Sequence, residues 1–111
     1  SSLTFQTRIF RGFDGAELHY VDVGSGQPMI YVCGFGSSIE PGTIIEAMQH
    51  HGRIIVFDQR AFGITPAAGE MSIHQSARDV QALIEHLDLN DVVLYGYSMG
   101  AAVTFSYVAQ F

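Results

Sequence analysis

The sequence predicts an α/β fold with a mostly parallel sheet, and three features of its 111 residues carry this prediction. Short apolar runs recur along the chain, each about as long as a strand that is buried on both faces. Segments with apolar residues at helical spacing separate these runs. Glycine-containing turns divide the elements, so that strands and helices alternate as they do when helices cover parallel strands. We expect five strands and about three flanking helices.

The first two strands are predicted to form an antiparallel hairpin. Residues 4–10 and 16–23 each alternate between apolar and polar side chains, which is typical of strands with one buried face. Turns that contain glycine follow them at 12–15 and 24–28. The hairpin should therefore lead the chain into the parallel part of the sheet.

The remaining elements alternate between buried strands and helices. Pro41 is suited to the first turn of a helix that Gly52 closes, and Ser72 is a good N-cap for the next helix. Residues 58–70 should form a loop, because they combine glycine and proline. The predicted buried strands are residues 29–33, 53–57 and 92–97, and the predicted helices are residues 41–52, 72–87 and 99–111.

Composition restricts the class of protein. The chain is 48% hydrophobic and 14% charged, which is enough apolar material for a packed core. Its net charge of −6, without a single lysine, argues against binding to nucleic acid or to anionic membranes. No apolar run is long enough to cross a bilayer, and residues 1–5 do not resemble a signal peptide. Cys33 is a lone cysteine that should be buried and cannot form an internal disulfide, so we expect a cytoplasmic protein.

One sequence motif indicates a catalytic residue. The segment Gly96-Tyr97-Ser98-Met99-Gly100 matches the pattern G-x-S-x-G between a predicted strand and a predicted helix. A sharp turn at this point brings the chain close to its own strand and helix, and only glycine leaves that space. The turn exposes the hydroxyl of Ser98 at the carboxyl edge of the sheet, where parallel α/β folds bind ligands. Ser98 is therefore the candidate nucleophile.

Two further loops follow buried strands. Gly34 and Gly36 would let the loop after the first buried strand turn its N–H groups inward. We expect the N–H of Phe35 to form an oxyanion hole with the N–H of Met99, which lies at a helix N-terminus. The segment 58–63, Asp-Gln-Arg-Ala-Phe-Gly, is predicted to have a structural role.

These motifs together resemble the N-terminal half of an α/β-hydrolase of the esterase, lactonase and haloperoxidase-like group, over essentially all 111 residues. The resemblance implies a serine nucleophile after the fifth strand and no cofactor, and we predict no metal ligands. Three positions depart from the family pattern. Cys33 stands where the family usually has histidine, Ala61 stands where it has glycine, and Tyr97 stands where histidine is common.

The family resemblance also shows what the chain lacks. In this family the catalytic acid and histidine follow the serine along the chain, and here only 13 residues follow Ser98. A serine hydroxyl is a weak nucleophile without a base. None of the histidines is expected near the carboxyl edge of the sheet, and all are predicted to be surface or helix-end residues. They are His19, His50, His51, His74 and His86.

We therefore interpret residues 1–111 as a partial α/β-hydrolase domain that ends after the nucleophile helix. The strand at 92–97 would be a sheet edge, and the uncharged helix at 99–111 calls for burial on most sides. A separate C-terminal chain or a second copy should cover this edge. The complete assembly is predicted to cleave carboxylic esters or lactones. The alternatives are a catalytically silent fragment that acts in assembly or complementation, and lyase or cofactor-free oxygenase chemistry on the same scaffold.

Overall fold

The computed structural model describes residues 6–32, 41–48, 50, 52–57, 69–96 and 99–111. Within these ranges the chain forms five strands and three helices. In chain order they are β1 (Arg8–Arg11), β2 (Glu17–Val23), β3 (Pro28–Val32), α1 (Pro41–Met48), β4 (Arg53–Phe57), α2 (Gly69–His86), β5 (Val93–Gly96) and α3 (Met99–Gln110). None of these helices has the length and apolar character needed to cross a membrane.

All five strands join one sheet in the order β1-β2-β4-β3-β5. The hairpin strands β1 and β2 are antiparallel, and β2 also pairs antiparallel with β4. The other two pairs, β3 with β4 and β3 with β5, are parallel. The predicted fold class, an opening antiparallel hairpin that leads into a mostly parallel sheet with three helices, is confirmed.

The central strands β3 and β4 are buried on both faces, as their apolar runs predict. One face packs against α2 and α3, and its core includes Ile30, Ile55 and Leu83, each fully buried. The opposite face packs against α1, with Ile45 and Val56 among its buried residues. The sheet therefore separates two apolar layers, and the larger layer lies beneath α2 and α3.

Three predictions about the helices and strands differ from the structure: the start of α2, the burial of β5 and the role of Gly52. The helix α2 begins at Gly69, so Ser72 lies inside the helix and is not its N-cap. The strand β5 is only partly buried, because it lies at the edge of the sheet and leaves Val93 and Tyr95 about half exposed.

Gly52 does not close α1, which already ends at Met48. Its φ of +156° is far from the left-handed value of a helix C-cap glycine. A glycine is required here because the chain passes close to β3: a Cβ at this position would lie 2.9 Å from the backbone oxygen of Gln27. That oxygen accepts a hydrogen bond of 3.2 Å from the N–H of Arg53. It therefore cannot move away from an added Cβ without weakening this bond.

The Gly52→Ala variant is therefore expected to lose about 1–2 kcal/mol of unfolding free energy through backbone strain and this close contact. Urea titration followed by circular dichroism measures the loss. Gly15→Ala is the matched control, because Gly15 also has a positive φ, +89°, but a Cβ there would meet no heavy atom within 4 Å. Equal losses in the two variants would contradict the role given to the contact with Gln27.

Candidate active site

The three parallel strands end side by side at one edge of the sheet. Val32, the last residue of β3, is paired with Phe57, the last residue of β4, and with Gly96, the last residue of β5. Neighbouring strands lie about 4.8 Å apart, so the loops that follow these strands leave the sheet from adjacent points. In parallel α/β sheets this carboxyl edge is where ligands bind.

The G-x-S-x-G motif lies between a strand and a helix, as predicted. Gly96 ends β5, and α3 begins at Met99, with Gly100 as its second residue. Only Tyr97 and Ser98 stand between these two elements, and both lie outside the described residues. The first N–H groups of a helix have no partner within the helix, so the N–H of Met99 can bind an anion. The motif thus runs from the end of a strand to the start of a helix, while Ser98 as nucleophile stays a prediction.

The other predicted parts of the site also lie outside the described residues. Gly34, Phe35 and Gly36 belong to the segment 33–40, which follows β3 directly. The segment 58–68, with the Asp-Gln-Arg-Ala-Phe-Gly motif, follows β4. The oxyanion role of Phe35 and Met99 therefore remains a prediction, as does the structural role of the motif after β4.

Packing against α2 and the sheet fixes the position of α3. Val103 is fully buried in the core beneath α2 and α3. One turn further along, the hydroxyl of Tyr107 donates a hydrogen bond of 2.8 Å to Oε1 of Gln81 on α2. Partial burial, together with the negative charge of Glu85, raises the pKa of Tyr107. The helix that follows Ser98 is thereby anchored at its middle and at its end.

A serine and a histidine do meet on the surface, but away from the motif. Nδ1 of His74 on α2 lies 3.3 Å from Oγ of Ser106 on α3, and Nε2 of Gln110 donates a hydrogen bond of 3.1 Å to the same hydroxyl. Met99 precedes Ser106 by seven residues, or about 10 Å along the helix axis. His74 therefore contacts α3 about two turns after the helix begins. That His74 is not the catalytic base stays a prediction, because Ser98 lies outside the described residues.

The other described histidines are also surface residues. His19 and His50 are exposed, and His86 is exposed at the end of α2 beside the rings of Phe10 and Tyr20. His51 lies outside the described residues. In the part of the chain that the structure describes, no group of three or more His, Cys, Asp or Glu side chains could hold a metal ion.

Asp79 is not among the residues predicted from the sequence to be important, yet the structure buries this carboxylate completely. It lies on α2, and its Oδ1 accepts a hydrogen bond of 3.1 Å from the N–H of Phe13 in the hairpin turn. The neighbouring guanidinium of Arg78 lies 4.3 Å above the ring of Phe13. Ser76, Asp79 and Leu83 recur at helical spacing on the buried side of α2. This spacing predicts that Asp79 is buried, and a buried acid needs a hydrogen-bond partner.

Comparison with known proteins identifies the family. The sequence profile of the alpha/beta hydrolase fold matches residues 27–111. A non-heme haloperoxidase of Rhodococcus erythropolis is 33% identical over 100 residues, which cover 87% of this chain and 36% of that protein. An esterase from Exiguobacterium antarcticum superposes with a TM-score of 0.76 and 28% identity over 94% of this chain and 40% of the esterase.

An epoxide hydrolase of Vigna radiata has the same fold, with a TM-score of 0.80 over 96% of this chain and 35% of that structure, at 24% sequence identity. The chain thus spans little more than a third of the length of the relatives that it matches. The family profile covers residues 27–111, and the G-x-S-x-G motif runs from the last residue of β5 to the second residue of α3. The chain belongs to the α/β-hydrolase fold family.

Proposed function

We propose that this chain supplies the nucleophile and the oxyanion hole of a serine hydrolase that cleaves carboxylic esters or lactones by acyl transfer. The observation that supports the proposal most directly is the position of the motif: the sequence Gly-Tyr-Ser-Met-Gly begins at the last residue of β5 and ends at the second residue of α3. Gly96, two residues before Ser98, ends β5 at the carboxyl edge of the sheet and is paired with Val32 at the end of β3.

In the proposed reaction the hydroxyl oxygen of Ser98 attacks the carbonyl carbon of the substrate. A histidine from a part of the hydrolase outside residues 1–111 takes the hydroxyl proton, and an acid from the same part orients that histidine. The histidine returns the proton to the leaving alkoxide, and water then attacks the acyl-serine and releases the carboxylic acid. The chain by itself therefore positions the nucleophile without activating it.

The oxyanion of the tetrahedral intermediate is bound by the N–H groups of Phe35 and Met99 in this proposal. These two donors belong to segments that follow β3 and β5, and the last residues of those strands are paired across the sheet. Loss of one oxyanion donor typically reduces turnover by about 10²–10³. Because the donors are backbone groups, substitution of either residue by any residue other than proline leaves its N–H in place.

A fluorophosphonate probe tests the proposal, since it reacts with activated serines. The chain is expressed together with the C-terminal two-thirds of the Rhodococcus erythropolis haloperoxidase, so that a histidine and an acid are available. We expect labelling of this chain that is abolished in Ser98→Ala, because no other activated serine is expected. Ser106→Ala is the matched control, because Ser106 also contacts a histidine, at 3.3 Å, yet lies on the surface.

Labelling that persists in Ser98→Ala, or that is lost in Ser106→Ala, would contradict the assignment of the nucleophile. A folded complex of the two parts that is not labelled would favour the other function considered for this chain, a catalytically silent unit that serves in assembly. That reading draws support from the exposed apolar side of the fold at β5 and α3.

A further inference from the structure

Two tyrosine rings stack against each other between the parallel strands β3 and β5. Tyr31 on β3 and Tyr95 on β5 are direct partners in the pairing of these strands. Their ring centroids lie 5.2 Å apart, and their planes differ by 17°. Attractive aromatic pairs typically have centroids about 4.5–7 Å apart. The two strands are therefore joined by a side-chain contact in addition to their backbone hydrogen bonds.

Tyr31 provides a fixed surface for this stack. It is 4% exposed and belongs to the core beneath α1, together with the buried residues Ile45 and Val56. Protein cores are close-packed, so the neighbours of a buried ring leave it little room to change its orientation. Tyr95 lies against this ring, and the position of the last part of β5 therefore depends on the core beneath α1.

Tyr31 and Tyr95 are the last partners on β3 and β5 that both carry a side chain. The next pair is Val32 with Gly96, and glycine offers no side chain to its partner. Both strands end at this pair: β5 leads into the turn that carries Ser98, and β3 leads into the segment 33–40. The stack is thus the side-chain link between these strands that lies nearest to the candidate active site.

Each tyrosine precedes one of the proposed oxyanion donors by four residues. Tyr31 precedes Phe35, and Tyr95 precedes Met99. Four residues of extended chain reach at most about 14 Å, so only short stretches of backbone separate the stack from both donors. Misplacement of a reacting group by about 1 Å can reduce a rate about 10²-fold, even when the change that causes it is remote from the reaction. Loss of the stack is therefore expected to affect catalysis.

We propose that Tyr95, stacked on Tyr31, is a positioning residue for the reaction at Ser98. Its ring holds the end of β5 at a fixed distance and orientation relative to β3. The hydroxyl of Ser98 and the N–H groups of Phe35 and Met99 then reach the same carbonyl group of the substrate. This role rests on the proposed function, because it requires acyl transfer to Ser98. Tyr95 itself touches no substrate and acts through the backbone of β5.

The rate of fluorophosphonate labelling tests this role in the complex with the C-terminal two-thirds of the Rhodococcus erythropolis haloperoxidase. Tyr95→Leu removes the ring but keeps an apolar side chain, and it should lower the rate constant for labelling of Ser98 at least about tenfold. Tyr95→Phe retains the stack, so its rate constant should stay within about twofold of that of the unsubstituted chain. Val93→Ala is the matched control, because Val93 lies on the same strand with a similar exposure, 45% against 51% for Tyr95, but pairs with Met29.

The fraction of chain that is labelled at completion separates positioning from folding. If the stack only stabilised the fold, Tyr95→Leu would lower this fraction but leave the rate constant of the folded complex unchanged, and the proposal would be overturned. An equal loss of rate in Tyr95→Phe or in Val93→Ala would also overturn it. Labelling of Tyr95→Leu at the unsubstituted rate rejects the positioning role alone, whereas an unsubstituted complex that is not labelled at all rejects the proposed function together with this role.

Discussion

Replacing Phe10 with alanine is expected to lower the free energy of unfolding by about 3–5 kcal/mol, the usual cost of removing a buried aromatic ring. Phe10 is 1% exposed, although it lies on the edge strand β1. Its ring makes edge-to-face contacts with Tyr20, at a centroid distance of 5.8 Å, and with Phe57, at 6.0 Å. The substitution removes both contacts and leaves a cavity where the hairpin meets the core beneath α2.

Ile9→Ala is the control for this prediction. Ile9 is the preceding residue of β1 but is 46% exposed, so its removal should cost less than about 1 kcal/mol. Urea titrations by fluorescence and circular dichroism give the two values. A loss below about 1 kcal/mol for Phe10→Ala would mean that the hairpin does not pack on the core as described.

Asp79→Ala is expected to cost about 3 kcal/mol, since a hydrogen bond to a buried charged group lies at the upper end of the usual range. The carboxylate of Asp79 is fully buried and accepts a hydrogen bond from the N–H of Phe13. Without it, that N–H loses its partner at the place where the hairpin turn meets α2. We expect a lower midpoint in urea and faster hydrogen exchange in the turn at residues 12–16.

Asp14→Ala provides the comparison for Asp79→Ala. Oδ1 of Asp14 also accepts a backbone hydrogen bond of 3.1 Å, from the N–H of Ala16, but this bond is exposed to solvent. Water can replace that carboxylate, so the expected loss is about 0.5–1 kcal/mol. If both variants lost the same free energy, burial would not be what makes Asp79 important.

The elements that the sequence predicted correctly are those whose signal is local. The apolar runs of β3 and β4 reflect burial on both faces, and that burial is visible in each strand alone. The sheet order could not be read in the same way, because the insertion of β4 between β2 and β3 depends on pairing between distant segments. The predicted start of α2 was wrong because serine favours the N-cap position, and this local preference at Ser72 does not reveal that the helix already begins at Gly69.

The same difference between local and long-range signals applies to the candidate site. The motif around Ser98 was recognisable because its glycines are required by a turn of a few residues, and the ends of β5 and α3 agree with that turn. The hydrogen bond of Asp79 could not be predicted, because its partner, the N–H of Phe13, is 66 residues away in the sequence. The contact between His74 and Ser106 could not be predicted either. It joins two helices, and the residue spacing within one helix does not indicate contacts with the other.

The pairing of Val32 with Gly96 has a consequence for the tolerance of the proposed active site to mutation. Slippage of β5 against β3 by one residue would move the start of one loop by about 3.3 Å relative to the other. Oxyanion donors must lie about 2.7–3.1 Å from the oxygen that they stabilise. A shift of one loop by much less than the length of a residue would already take its donor out of this range. The hydrogen bonds between β3 and β5 would thus determine how the proposed nucleophile is aligned with the oxyanion donors. Substitutions at Ile30 or Leu94, which touch no substrate, could then reduce the rate of a complete hydrolase while the protein still folds.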